Sequence, residues 1–108
     1  MIFVACLLRN TGSGWYIISD SDHYPKGVTS VDTNSDHIRL HYDFTATEVH
    51  TAVTCPDETY ILSDVQVGAS IGMAYANIYF KRVGTSGWLD PATLTEAYGN
   101  VNVLGVFS

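Results

Sequence analysis

The chain has 108 residues, 46% of them hydrophobic and only 15% charged, with a net charge of −6. That length holds one domain, residues 1–108, with a core that needs neither metal nor disulfide. The five basic residues, Arg9, Lys26, Arg39, Lys81 and Arg82, are scattered along the chain. They cannot supply the clustered cations that a phosphate backbone or an anionic membrane requires, so nucleic acid and membrane are excluded as partners. The charged fraction is well below the roughly 25% of ordinary soluble domains. The surface is therefore built from Ser, Thr, Asn, Gly and Tyr, or is partly covered by partners.

Residues 2–8 are a continuous apolar run. The run has no basic segment before it and no small-residue cleavage site, so it is not a signal peptide. It is too short to span a bilayer, and it reads as a buried strand of a protein that reaches its destination unprocessed. Asn10-Thr11-Gly12-Ser13-Gly14 is a turn cluster, followed by a short strand over 15–19. Residues 20–27 form a polar loop punctuated by Pro25 and Gly27, and 28–33 form a weak strand. Over 36–44 apolar and polar residues alternate: Ile38, Leu40, Tyr42 and Phe44 face one side, His37, Arg39, His41 and Asp43 the other.

Residues 45–47 read as a hairpin connection and 48–55 as its return strand. Pro56-Asp57-Glu58 breaks the ladder, and 59–62 leads into two strands expected at the centre, 65–70 and 73–82, which meet near Gly72. In the second of these, Tyr75, Asn77 and Tyr79 point away from Ala74, Ala76, Ile78 and Phe80. Residues 83–87 turn, and Asp90-Pro91 has the cap and first residue of one short helical turn near 91–97. Residues 100–107 close the chain. The spacing of turns predicts an all-β protein, an antiparallel β-sandwich of about eight strands with jelly-roll-like or Greek-key connections.

The sequence carries no nucleophile motif: Gly12-Ser13-Gly14 is a turn, and adjacent Asp57 and Glu58 point apart. No enzyme is expected and no cofactor is implied. A metal centre would have to join His41 to His50 across the 45–47 hairpin, with Glu48 nearby. His37 and His41, about 13 Å apart along a strand, cannot share an ion. These residues read as a solvated polar face. Cys6 and Cys55 lie in separate strands, where burial is the usual fate of a free thiol. Trp15, Tyr24, Trp88 and Tyr98 lie in or beside loops and could stack on sugar rings, which makes a carbohydrate-binding module the alternative reading. Tyr75, Asn77 and Tyr79, with the small residues Gly68, Ala69, Ser70, Ala74 and Ala76 beside them, could pack against another chain.

The order of several short motifs carries a family likeness. They are Leu8-Arg9-Asn10 before Gly14-Trp15, then Pro25-Lys26-Gly27-Val28 and Val53-Thr54-Cys55-Pro56-Asp57-Glu58. Val67-Gly68-Ala69-Ser70-Ile71-Gly72 follows, and Pro91-Ala92-Thr93-Leu94 precedes the closing 100–107 segment. In this order the chain resembles small β-sandwich modules of tail-fibre or minor tail proteins from bacteriophages of actinobacteria. The resemblance implies a non-enzymatic virion protein whose partners are other virion proteins. A homo-oligomer, with a trimer favoured, is expected, together with attachment to a host-surface glycan. Fibre proteins often carry a collagen-like or coiled-coil stalk, and this chain has neither Gly-X-Y nor heptads. A head decoration or tail accessory protein is thus an equal expectation.

Overall fold

A computed structural model describes residues 1–94 and 99–108. Its eight strands are β1 (Ile2–Asn10), β2 (Trp15–Ile17), β3 (Val28–Thr33), β4 (Ile38–Tyr42), β5 (Val49–Pro56), β6 (Val65–Ile71), β7 (Tyr75–Arg82) and β8 (Asn100–Phe107). They form two four-stranded antiparallel sheets, ordered β2-β1-β8-β5 and β3-β4-β7-β6. The all-β sandwich is as expected.

Side-chain alternation decides which face each sheet buries. The first sheet turns Val4, Cys6 and Leu8 of β1 inward beside Val101, Val103 and Phe107 of β8. The second contributes Ile38, Leu40 and Tyr42 of β4 with Ala76, Ile78 and Phe80 of β7. Two aromatic clusters fill the space between the sheets. In one, Trp15 stacks on Phe80 at 5.1 Å with Tyr60 alongside. In the other, Tyr42, Phe44 and Phe107 lie within 5.4 Å of one another. Gly99 is required by the first cluster, because a Cβ there would sit 2.4 Å from the Tyr60 ring.

Four expectations need correction. Residues 45–47 are not a hairpin connection: they carry the chain across to the other sheet, where β5 pairs with β8. The crossing is fixed by backbone bonds of Thr47 and Glu48 to the last residue, Ser108. Residues 59–62 are not an extended lead-in but part of a helix, α1 (Glu58–Leu62). It adds helix beyond the single turn expected near 91–97. Pro56 ends the ladder, and the Asp57 carboxylate then accepts the Thr59 N–H at 2.8 Å, as an N-cap does. Of the two strands expected at the centre, β7 is interior but β6 is an edge strand. Finally, Cys55 is exposed while Cys6 is buried, and both are free. β8 runs between their strands and they point to opposite faces of one sheet.

The capped turn after Asp90 is present as a 3₁₀ turn, Pro91–Thr93, whose Ala92 N–H donates to the Asp90 carboxylate. The remainder of the expected turn, like Tyr98, lies outside the described residues. Among the described residues no helix is long and apolar enough to cross a membrane.

Candidate functional site

The outer face of the second sheet is built by the outward halves of the two clearest alternations. Ile38 and Leu40 must face the core, so Arg39 and His41 face out, and His37 continues their row. Ala76, Ile78 and Phe80 likewise leave Tyr75, Asn77 and Tyr79 outside. These three therefore line the face away from the core, and the reading that both faces of this sheet are buried is excluded. Because Arg39 pairs with Asn77 and His41 with Tyr75 in the β4–β7 ladder, their side chains interlock. The Arg39 guanidinium lies 4.2 Å over the Tyr75 ring, and its Nε donates to Asn77 Oδ1 at 2.9 Å. His41 Nε2 is 2.7 Å from an Asp32 carboxylate oxygen. His37 pairs with Asp36 and lies 5.3 Å from the Tyr79 ring.

Trp88 completes this face. The turn after β7 brings residue 89 back so that its N–H donates to the Phe80 carbonyl at 2.8 Å, and Leu89 packs on the core. Its predecessor is thereby sent outward. Trp88 is 55% exposed, and its ring centroid lies 4.9 Å from that of Tyr79, the planes tilted by 41°. Beside the two rings, Gly68 stands opposite Tyr79 across the β6–β7 ladder. A Cβ on Gly68 would meet nothing within 4 Å. The result is an open groove of about 720 Å³, lined by Trp88, Gly68, Gln66, Lys81, Asp64 and Val83 among others.

The four aromatics expected to form one sugar site are not together. Trp15 is only 5% exposed, and its indole N–H donates to the Pro91 carbonyl at 2.9 Å, a core role. Tyr24 is well exposed but lies in the 20–27 loop, over the outer face of the first sheet with Leu7 and Leu104. Tyr98 is outside the described residues. Trp88 alone remains, and its ring partner is Tyr79, which was expected at a chain–chain contact. Nor do His41 and His50 face each other: they belong to different sheets, and His50 Nε2 bonds Ser108 Oγ at 2.8 Å. Glu48 is held beside Ser108 as well. Among the described residues no three His, Cys, Asp or Glu side chains converge.

A second surface escaped the sequence reading. On the outer face of the first sheet, Phe3, Val53 and Leu104 are each about half-exposed, with Ala5, Thr51 and Val106 between them. Val53 stands opposite Leu104, and Leu104 opposite Ala5. At one end the 20–27 loop covers this face and buries Leu7. Val53 and Leu104 carry a period-two signal, but a bulge between Val49 and Thr51 exchanges the faces of β5. From sequence alone Val53 therefore shares a face with Val49. Searches against protein-family models, curated proteins and solved structures found no match.

Proposed function

We propose that this chain is a non-enzymatic structural protein of a bacteriophage particle, a minor tail, fibre or head-decoration component, that assembles with copies of itself. The observation that carries the reading is the apolar patch of Phe3, Val53 and Leu104 on the outer face of the first sheet. Its six residues include no charge, as interface centres require. In a chain of net charge −6, most self-contacts oppose like charges, and a contact through this patch does not. By the same argument the assembly contact belongs here rather than at Tyr75, Asn77 and Tyr79, whose face carries Arg39, His37 and His41.

A patch this small makes a weak pairwise contact. Weak contacts suit a particle on which many copies act together. The resemblance of its motif order to phage tail modules points the same way. Mass spectrometry of purified particles of the encoding phage is expected to detect the chain, and its absence from intact particles would sink the proposal. Light scattering is expected to give an oligomer that Leu104→Asp reduces to a folded monomer.

A further inference from the structure

The four outer strands of the two sheets are not built alike. β2 is only three residues long. β3 carries a bulge after Val28 and the charge of Asp32, while β5 carries a bulge after Val49 and ends in Pro56. Shortness, bulges, charge and proline are the features that keep a sheet edge from pairing with another chain. β6 has none of them. Val65–Ile71 holds no charge and no proline, and its register with β7 is unbroken along its length.

The Val83 N–H donates to the Asp64 carbonyl and the Gly72 N–H to the Tyr75 carbonyl. The hydrogen-bonded pairs of this antiparallel ladder therefore fall on the even-numbered residues of β6. Val67, Ala69 and Ile71 turn their N–H and C=O groups to the open side, where no described residue bonds to them. The same three residues stand opposite Phe80, Ile78 and Ala76 and face the core. Those β7 residues are wholly buried, whereas Val67 and Ile71 are half-buried and Ala69 is exposed. One strand beyond β7, the core is left uncovered. From these observations we infer that β6 is completed by an extended segment of another protein, added to the sheet as a further strand.

The groove of about 720 Å³ along the first half of β6 says what that segment carries. Pro56, Val67, Val83 and Trp88 give it an apolar lining, with Asp64 and Lys81 as opposite charges. Every second side chain of an added strand points over that lining, so large aliphatic or aromatic residues at alternate positions fit it. A second copy of β6 does not, because its Gly68, Ala69 and Ser70 are too small to fill the groove. The net charge of −6 disfavours an acidic segment and favours one with basic ends. In strand addition the main-chain hydrogen bonds supply affinity and the side-chain pockets supply specificity.

The probes are four acetylated and amidated octapeptides with a lysine at each end. Between the lysines, threonine alternates with valine, isoleucine, leucine or phenylalanine. At least one is expected to bind the full chain saturably by calorimetry and to protect the amides of Val67, Ala69 and Ile71 from hydrogen exchange. That peptide is then methylated on alternate amide nitrogens, in two complementary sets. The set facing β6 is expected to weaken binding by about tenfold or more, and the other set by less than about twofold. Ala69→Lys and Ala69→Pro are each expected to weaken binding by about tenfold or more with unchanged far-ultraviolet circular dichroism, since an edge tolerates both residues. Leu104→Asp is expected to bind as the parent does, which separates this edge from the assembly contact. No binding by any of the four peptides overturns the inference, as does binding that survives both Ala69 variants. Equal weakening by the two methylated sets would mark a side-chain contact without strand addition and overturn it as well. Self-association that Ala69→Lys abolishes would make a second β6 the occupant and overturn it equally.

Discussion

The tripeptide Ser-Gly-Trp occurs twice, at residues 13–15 and 86–88, and the two tryptophans do opposite things. Trp15 is a core anchor, stacked on Phe80 and hydrogen-bonded to Pro91. Trp88 is the exposed wall of a groove. The preceding turns are alike in residue type, but Gly14 takes φ 122° while Gly87 takes no positive φ, and the register that follows differs. Trp15 stands opposite Asn10 in the β1–β2 ladder, and Asn10 shares the inward face with Leu8 and Cys6. At the second site Leu89, not Trp88, takes the inward position beside Phe80. A shift of one residue exchanges core for surface, as period-two geometry demands.

The comparison is broken most severely by removing each indole in turn. Trp15→Ala is expected to cost about 3–5 kcal/mol, the usual range for a large buried aromatic. That lowers the melting temperature by on the order of 15 °C or more. Trp88→Ala is expected to cost under about 1 kcal/mol, as exposed substitutions do. Thermal denaturation followed by circular dichroism measures both, and equal losses would show that the two sites are not distinct. Asn10→Ala comes next. The Asn10 amide donates to the Pro91 and Leu94 carbonyls at 3.2 and 2.9 Å while wholly buried. Its removal takes away the donation to the Leu94 carbonyl and one of the donations to the Pro91 carbonyl, which keeps the Trp15 indole and the Leu94 N–H, and is expected to cost about 1–3 kcal/mol. Asn10→Asp is expected to fare no better, because a carboxylate cannot donate to either carbonyl.

How much of this was legible in the sequence follows from the same geometry. Local alternation marks Ile38, Leu40, Ala76, Ile78 and Phe80 as inward without any knowledge of partners, and the outward placement of Tyr75, Asn77 and Tyr79 follows at once. The Asp90-Pro91 cap is equally local. What a local pattern cannot carry is pairing. That β5 joins β8 rather than β4 depends on Thr47 and Glu48 meeting Ser108, about 60 residues later. For the same reason His41 and His50, which a hairpin would have set side by side, lie on different sheets. α1 was signalled by Asp57 as a cap, but Pro56 before it and Thr59-Tyr60-Ile61 after it read more strongly as an interrupted strand. The groove needed three separate facts: which way Trp88 turned, that β6 is an edge, and that Gly68 faces open space.

The cysteines repeat the lesson on one sheet, and pH reads the buried one. Burial pushes the Cys6 thiol up to about 12, from 9.0, and Tyr42 up to about 12, from 10.0, with Cys6 adding to the latter. Both groups ionise more readily in the unfolded chain. Their contribution to stability is therefore complete below about pH 9 and declines as the pH rises towards 12. Denaturant midpoints are expected to fall between about pH 9 and pH 11, with a shallower fall in Cys6→Ala. An identical slope in the variant would remove Cys6 from the account.

Cys55 gives the mildest probe, because labelling it disturbs no core contact. It is exposed, on the outer face of β5 two residues from Val53, and so at the border of the apolar patch. A thiol reagent is expected to modify one cysteine per folded chain, at Cys55, and the second only on unfolding, since thiolate rather than thiol reacts. If copies associate through Phe3, Val53 and Leu104, Cys55 is expected to label several-fold more slowly at concentrations where the oligomer forms. Leu104→Asp is expected to restore the monomer rate, while Tyr79→Glu, on the opposite sheet, leaves the oligomer's slow rate unchanged. A Cys55 rate independent of concentration would place the contact elsewhere. A slow rate released by Tyr79→Glu instead would return it to the face of Tyr75, Asn77 and Tyr79.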